Sequence, residues 1–138
     1  MTREFRTTAP SPPPGVATIL VVDDQADIGS LVQDMLEPAG HAVIHTTDPM
    51  EALRWARQST VVMDLLLLDA VMPVMGGREH GRHILNLRPS LKVILMSGYE
   101  VNEIHGSGWP FLQKPFAMNT LKETVASELS RRPPQWPR

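Results

Sequence analysis

The sequence predicts an α/β domain built on a five-stranded parallel sheet, and three observations carry that expectation. Leu65-Leu66-Leu67-Leu68 is an unbroken apolar run that ends on Asp69 and a turn containing Pro73, Gly76 and Gly77. That is the pattern of a strand buried on both faces. Four further apolar or β-branched stretches alternate with segments of helical period, which implies parallel strands joined by right-handed crossovers. At 138 residues and 42% hydrophobic content, the chain is large enough for one cored domain and small for two.

Seven of the 13 prolines lie at Pro10, Pro12, Pro13, Pro14, Pro133, Pro134 and Pro137. Residues 1–16 and 132–138 are therefore expected to be flexible tails around a domain over residues 17–131. The first tail reads as a spacer, with a polyproline ligand as the alternative. Ala17–Val22 reads as a buried strand that ends on Asp23 and Asp24. After Gln25 the apolar residues Ile28, Leu31, Val32, Met35 and Leu36 recur at helical spacing, and Pro38 and Gly40 stop that helix. His41–Thr46 is a short strand. Asp48-Pro49-Met50-Glu51 is a helix start, with Asp48 as N-cap and proline in the first turn; the helix runs to about Gln58 and buries Leu53 and Ala56. Beyond the central strand, Gly77–Leu87 reads as a helix docking through Gly81, Ile84 and Leu85, and Leu91–Ser97 as another buried strand. Phe111–Gln113 is a short last strand. From Met118 onward Leu121, Val125 and Leu129 line one face of a final helix.

Thirteen basic and 15 acidic residues give a net charge of −2, so no global field draws this chain to nucleic acid or to an anionic membrane. The absence of cysteine excludes disulfides, thiolate metal sites and cysteine nucleophiles. No apolar run is long enough to insert in a membrane, and the proline-rich start is not a signal peptide, so a cytoplasmic location is expected.

Aligning the strand ends brings Asp23, Asp24, Asp69, Ser97 and Lys114 to one edge of the sheet, where open α/β sheets bind ligands. Three clustered carboxylates repel one another unless a cation joins them, and an all-oxygen set that leaves room for phosphate suits Mg²⁺. Lysine can bind a phosphoryl oxygen, serine can hydrogen-bond another, and aspartate can act as nucleophile to give an aspartyl phosphate. Taken singly, Asp69 could cap its turn and the pair Asp23 and Asp24 could cap a helix. The pairs His80 with His83 and His41 with His45 have metal-ligand spacing but lack a carboxylate or cysteine complement, so they read as solvated surface. Trp109 reads as loop packing, and Met72 and Met75 as turn packing.

Four segments, taken together and in order, resemble the receiver domains of two-component response regulators: Val21-Val22-Asp23-Asp24; Leu67-Leu68-Asp69-Ala70-Val71-Met72-Pro73 with Gly76-Gly77; Met96-Ser97-Gly98-Tyr99; and Leu112-Gln113-Lys114-Pro115-Phe116. The resemblance spans Thr18 to about Arg131. It implies a flavodoxin-like fold with strand order 2-1-3-4-5. It makes Asp69 the phosphoacceptor, Asp24 a direct Mg²⁺ ligand, Asp23 a ligand through water, and the Val71 carbonyl the last protein ligand. Lys114 would contact the phosphoryl group, Ser97 would be the switch hydroxyl and Phe111 the aromatic that moves with it. A cis bond between Lys114 and Pro115 is implied as well. Val71 and Tyr99 would flank the path of attacking water.

The function so implied is a signalling module, not an enzyme with an external substrate. It takes phosphate from a histidine kinase or phosphotransfer protein, loses it slowly, and acts on a downstream protein. Two alternatives stand beside it: a phosphohydrolase of haloacid-dehalogenase type and a receiver-fold module that works without phosphate. The first would need an acid where Val71 stands. The chain ends soon after its last helix, which suggests a receiver that stands alone or is cut from a hybrid histidine kinase. From Ser97 to Lys114 there are only 17 steps; the fourth helix that the resemblance calls for is therefore expected to be short or irregular, by roughly one and a half turns.

Overall fold

The computed structural model describes residues 16–58, 60–72, 76–98 and 108–131. The elements in order are β1 (Thr18–Val22), α1 (Ala26–Leu36) with a 3₁₀ turn at Glu37–Ala39, β2 (Ala42–Thr46), α2 (Pro49–Arg57), β3 (Leu65–Asp69), α3 (Gly77–Leu87), β4 (Lys92–Ser97), β5 (Phe111–Gln113) and α4 (Met118–Ser130). The strands form one sheet of order β2-β1-β3-β4-β5, and every neighbouring pair is parallel. Each expected strand and helix within the described residues is present, with ends shifted by a residue or two. The expected tails, apart from Val16, fall outside the described residues. So do Tyr99, Met75 and the stretch in which a shortened helix is expected between β4 and β5.

Burial on both faces explains the leucine run. All five residues of β3 are buried, and strand alternation divides them between two cores. Leu66 and Leu68 face one core with Leu20, Val22, Ala52, Leu53, Ala56 and Ile84, so α2 and α3 cover that side. Leu65 and Leu67 face the other with Ile19, Val21, Val32, Leu36, Leu121 and Val125, beneath α1 and α4.

Helix boundaries follow local chemistry. Asp48 Oδ1 accepts a hydrogen bond from Met50 N at 2.9 Å, and Pro49 occupies the first turn, where its missing N–H costs nothing. Thr46 Oγ1 accepts from Asp48 N and donates to the Glu51 carboxylate, which locks the end of β2 to the start of α2. Gly40 ends the turn after α1 with φ near 100°, a left-handed conformation that glycine adopts without a Cβ clash.

Two histidines differ from the solvated surface that the sequence suggests. His80 is fully buried, and its Nε2 lies 2.8 Å from the Pro49 carbonyl. His41 is buried as well, and its Nδ1 accepts from Ala17 N at 3.1 Å. Neither joins a metal set; each serves as a hydrogen-bond tie between segments. Burial lowers the pKa of both, which disfavours the charged ring. Trp109 packs as expected, half-buried against the α2/α3 core and over Gly81. Met72 is likewise buried in that core.

The two-sided core carries a direct expectation. Leu67→Ala should lower the unfolding free energy by about 3 kcal/mol, through lost transfer energy and a residual cavity. Leu31→Ala, at a site 42% exposed on α1, should change it by less than about 0.5 kcal/mol. Denaturant melts of the two variants check the contrast.

Candidate functional site

Because every strand runs the same way, their C-terminal ends share one edge, and the chain places a polar residue at nearly every one. Asp23 and Asp24 follow β1, Asp69 ends β3, Ser97 ends β4 and Lys114 follows β5. One carboxylate oxygen from each of Asp23, Asp24 and Asp69 lies within 4.8 Å of the other two. Asp23 and Asp69 are buried and Asp24 is exposed. Lys114 Nζ is 2.6 Å from Asp23 Oδ2 and 3.8 Å from Asp69 Oδ2, so one ammonium spans two carboxylates. Lys114 N donates to the Ser97 carbonyl at 2.8 Å, which extends the β4–β5 ladder to the site, and the Lys114–Pro115 peptide is cis.

Backbone donors set the carboxylate orientations. Gln25 N donates to Asp23 Oδ1 at 2.8 Å, so Asp23 closes a two-residue turn ahead of α1 and is not the helix N-cap, a position held by Gln25. Val71 N donates to Asp69 Oδ1 at 3.1 Å. That bond is the turn-capping contact open to Asp69 from sequence; it coexists with the cluster, since Oδ2 still faces Lys114. Val71 is exposed at the cluster's mouth. Ser97 is buried, and Phe111 is half-buried against the α2/α3 core. Ser97 lies two residues beyond Leu95, the register partner of Phe111, so Ser97 and Phe111 sit on the same side of the sheet.

The cluster opens into a cleft of about 500 Å³ that Asp24, Asp69, Val71, Ser97 and Lys114 line together with Gln25, Ile28, Gly98 and Pro115. Ile28 and Gln25 were legible only as helix positions. Their place at the cleft follows from the sharp turn at Asp23, which aims the first turn of α1 across the site. Gly77 shapes the other side. A Cβ there would lie 2.6 Å from Ala70 Cα, so only glycine lets α3 begin against the end of β3.

Burial first, and the neighbouring negative charge of Asp23 in addition, push the Asp69 pKa up to about 7, against the pull of the Val71 N–H and the Lys114 ammonium. A carboxylate set this crowded favours a hard divalent cation, and its donors are all oxygen, so the residues fit Mg²⁺. With a lysine and a serine beside it, the arrangement has the parts to hold and transfer a phosphoryl group.

Residues 19–126 match the response regulator receiver domain family. Among curated proteins, the chain is 33% identical over 120 residues to the transcriptional regulatory protein YrkP of Bacillus subtilis, which covers 82% of this chain and 49% of YrkP. It is 37% identical over 117 residues to the sensor kinase/phosphatase CqsS of Vibrio cholerae, covering 79% of this chain and 17% of CqsS. The chain thus spans about half of YrkP and a much smaller share of CqsS. Among solved structures, a CheY-like receiver domain protein of Methanospirillum hungatei superposes with TM-score 0.74 at 28% identity, covering 83% of this chain and 94% of that one. The response regulator TrrA of Thermotoga maritima, in complex with Mg²⁺ and BeF, gives TM-score 0.70 at 30% identity, covering 80% and 97%.

The raised pKa of Asp69 has a definite sign in metal-free protein. The folded state holds a proton that the unfolded chain, with an ordinary carboxyl pKa of about 4, has released. The associated stability is present below pH about 4 and lost as pH rises through about 7. Asp69→Asn should therefore match wild type near pH 4 and exceed it at pH 8 by on the order of 2 kcal/mol. Denaturant melts in chelator at the two pH values check this; a wild-type advantage at pH 8 would contradict it.

Proposed function

This chain belongs to the response regulator receiver domain family, and from that premise we propose that Asp69 accepts a phosphoryl group from a histidine kinase or phosphotransfer protein and that Ser97 and Phe111 relay the change. The observation that carries the proposal is the convergence of Asp23, Asp24, Asp69 and Lys114 at one sheet edge. Asp23, Asp24, Asp69 and the Val71 carbonyl are the groups we assign to Mg²⁺, with Asp24 binding directly and Asp23 through water. When bound, Mg²⁺ supplies positive charge that offsets the carboxylates and the phosphoryl oxygens. The Mg²⁺–BeF complex of TrrA, a relative with the same fold, supports this assignment.

Asp69 must be ionised to attack, and a cation beside it favours that form over the protonated one. Its carboxylate oxygen forms a bond to phosphorus as the bond from phosphorus to the donor's imidazole nitrogen breaks. The nitrogen keeps the electron pair, and a proton already carried on the donor ring's other nitrogen lets it leave as neutral imidazole. Lys114 holds a phosphoryl oxygen through its ammonium, while the Val71 N–H fixes the carboxylate rotamer. Ser97 hydrogen-bonds another phosphoryl oxygen. Ser97 and Phe111 share a side of the sheet, which supports a movement of the ring with the hydroxyl as the change of shape at the output face.

Val71 offers no acid two residues after Asp69, so we assign no turnover of an external phosphate ester and only slow loss of the protein's own phosphate. The sensor kinases and transcriptional regulators among its relatives are consistent with a phosphorelay setting. A cytoplasmic site of action, without membrane insertion or direct nucleic-acid contact, fits that setting; among the described residues no helix is long and apolar enough to cross a membrane.

Beryllofluoride with Mg²⁺ should shift the amide resonances of Asp69, Ser97 and Phe111 in wild type and leave Asp69→Asn unchanged. An unshifted wild-type spectrum, or the same shift in the variant, would overturn the assignment. Asp24→Ala should abolish phosphorylation without unfolding the protein. Val71→Asn should shorten the phosphate lifetime several-fold, because a carboxamide can orient water where valine cannot. A radiolabel decay assay reads that difference.

A further inference from the structure

Away from the phosphorylation edge, a groove of about 360 Å³ runs between α2 and α3, lined by Met50, Leu53 and Arg57 on one helix and His83, Asn86 and Leu87 on the other. Its floor is apolar, and two of its side chains are large hydrophobics left open, Met50 at 42% and Leu87 at 40% exposure. The groove is fixed at both ends. At one, buried His80 donates from Nε2 to the Pro49 carbonyl at 2.8 Å. At the other, Arg88 Nε donates to the Ala56 carbonyl at 3.0 Å and its Nη2 to the Gln58 carbonyl. Two side chains from the α3 segment thus grip the backbone at either end of α2, so the walls are set before anything binds.

The charge of the two helices is one-sided, and Arg57 brings it to the groove. The two helices carry Arg54, Arg57, Arg78 and Arg82 against Glu51 and Glu79, although the whole chain is net negative. Neither Arg57 nor His83 has a hydrogen-bond or ion-pair partner among the described residues. The chain's own terminal segments have the wrong sign to fill the groove. Residues 1–15 carry Arg3 and Arg6 against Glu4, and residues 132–138 carry Arg132 and Arg138 with no acidic side chain.

We infer that the α2/α3 groove is a docking surface for an acidic amphipathic helix of a partner protein. That helix lays apolar side chains on Met50, Leu53 and Leu87 and presents carboxylates to Arg57 and His83. Spacing at i, i+3, i+4 and i+7 matches a groove between two helices, and charge complementarity sets its orientation. The surface is separate from the cleft at Asp69, so its occupancy and the phosphorylation chemistry can be read independently.

The test is an NMR titration of the full ¹⁵N-labelled chain with an amphipathic peptide of about 18 residues, leucines on one stripe and glutamates beside it. A peptide with lysines in place of the glutamates is the control. The acidic peptide should shift resonances of α2 and α3 alone, and added salt should weaken it. Arg57→Glu with His83→Glu should reduce affinity at least about tenfold, as should Leu87→Ser, while the beryllofluoride response of each variant stays that of wild type. The inference is overturned by absence of shifts at about 1 mM peptide, by equal binding of the lysine peptide, or by indifference to the double substitution. It is also overturned if sedimentation shows that the groove mediates self-association, abolished by the same double variant, while the acidic peptide fails to bind.

Discussion

Three carboxylates gathered within 4.8 Å at the end of a buried sheet are the constraint to which the rest of the molecule answers. Left alone they would repel one another in a medium that screens charge poorly. In the protein by itself the answer is internal. Lys114 reaches Asp23 at 2.6 Å and Asp69 at 3.8 Å, and Asp69 gains in proton affinity through burial and the charge of Asp23. The site therefore carries unspent affinity for positive charge, which is the property a cation-dependent phosphoacceptor requires. In the proposed reaction, the ammonium that holds the resting carboxylates together is also the group that would hold a phosphoryl oxygen.

The scaffold meets this constraint through parallel topology. Five strands running one way deliver their last residues to a single edge, so residues 91 positions apart, Asp23 and Lys114, become an ion pair. The leucines of β3 make that edge rigid, since both faces of the strand are buried and no side chain can rotate to solvent. Gly77 lets α3 start against the backbone of β3, and the turn at Asp23 aims α1 over the cleft. Each of these is a backbone device that holds a polar atom in place.

The two helical layers are asymmetric in charge and in how they are tied. α1 carries Asp27 and Asp34 with no basic residue. α2 and α3 are arginine-rich and are joined by hydrogen bonds from His80 and Arg88 to α2 carbonyls and the residue that follows them. Opposite faces of one small domain thus offer surfaces of opposite sign, both apart from the carboxylate edge.

Local physics made most of the fold legible from sequence. A four-leucine run ending on Asp69 and bounded by a Pro/Gly turn reads as a strand buried on both faces, and Asp48-Pro49 can start a helix without help from elsewhere. The candidate site was legible for the same reason, because in a parallel sheet a polar residue at a strand's end goes to the common edge whatever surrounds it. Tertiary structure alone decided the rest. Nothing near His80 or His41 in the chain foretells burial; each is enclosed where packing brings a distant backbone group, the Pro49 carbonyl or Ala17 N–H, to its ring. The partner of Lys114, the place of Ile28 at the cleft and the groove between α2 and α3 are likewise products of how the layers meet. Periodicity fixes which face of an element is apolar, whereas the contact a polar side chain finds depends on what the packed chain brings within reach of it.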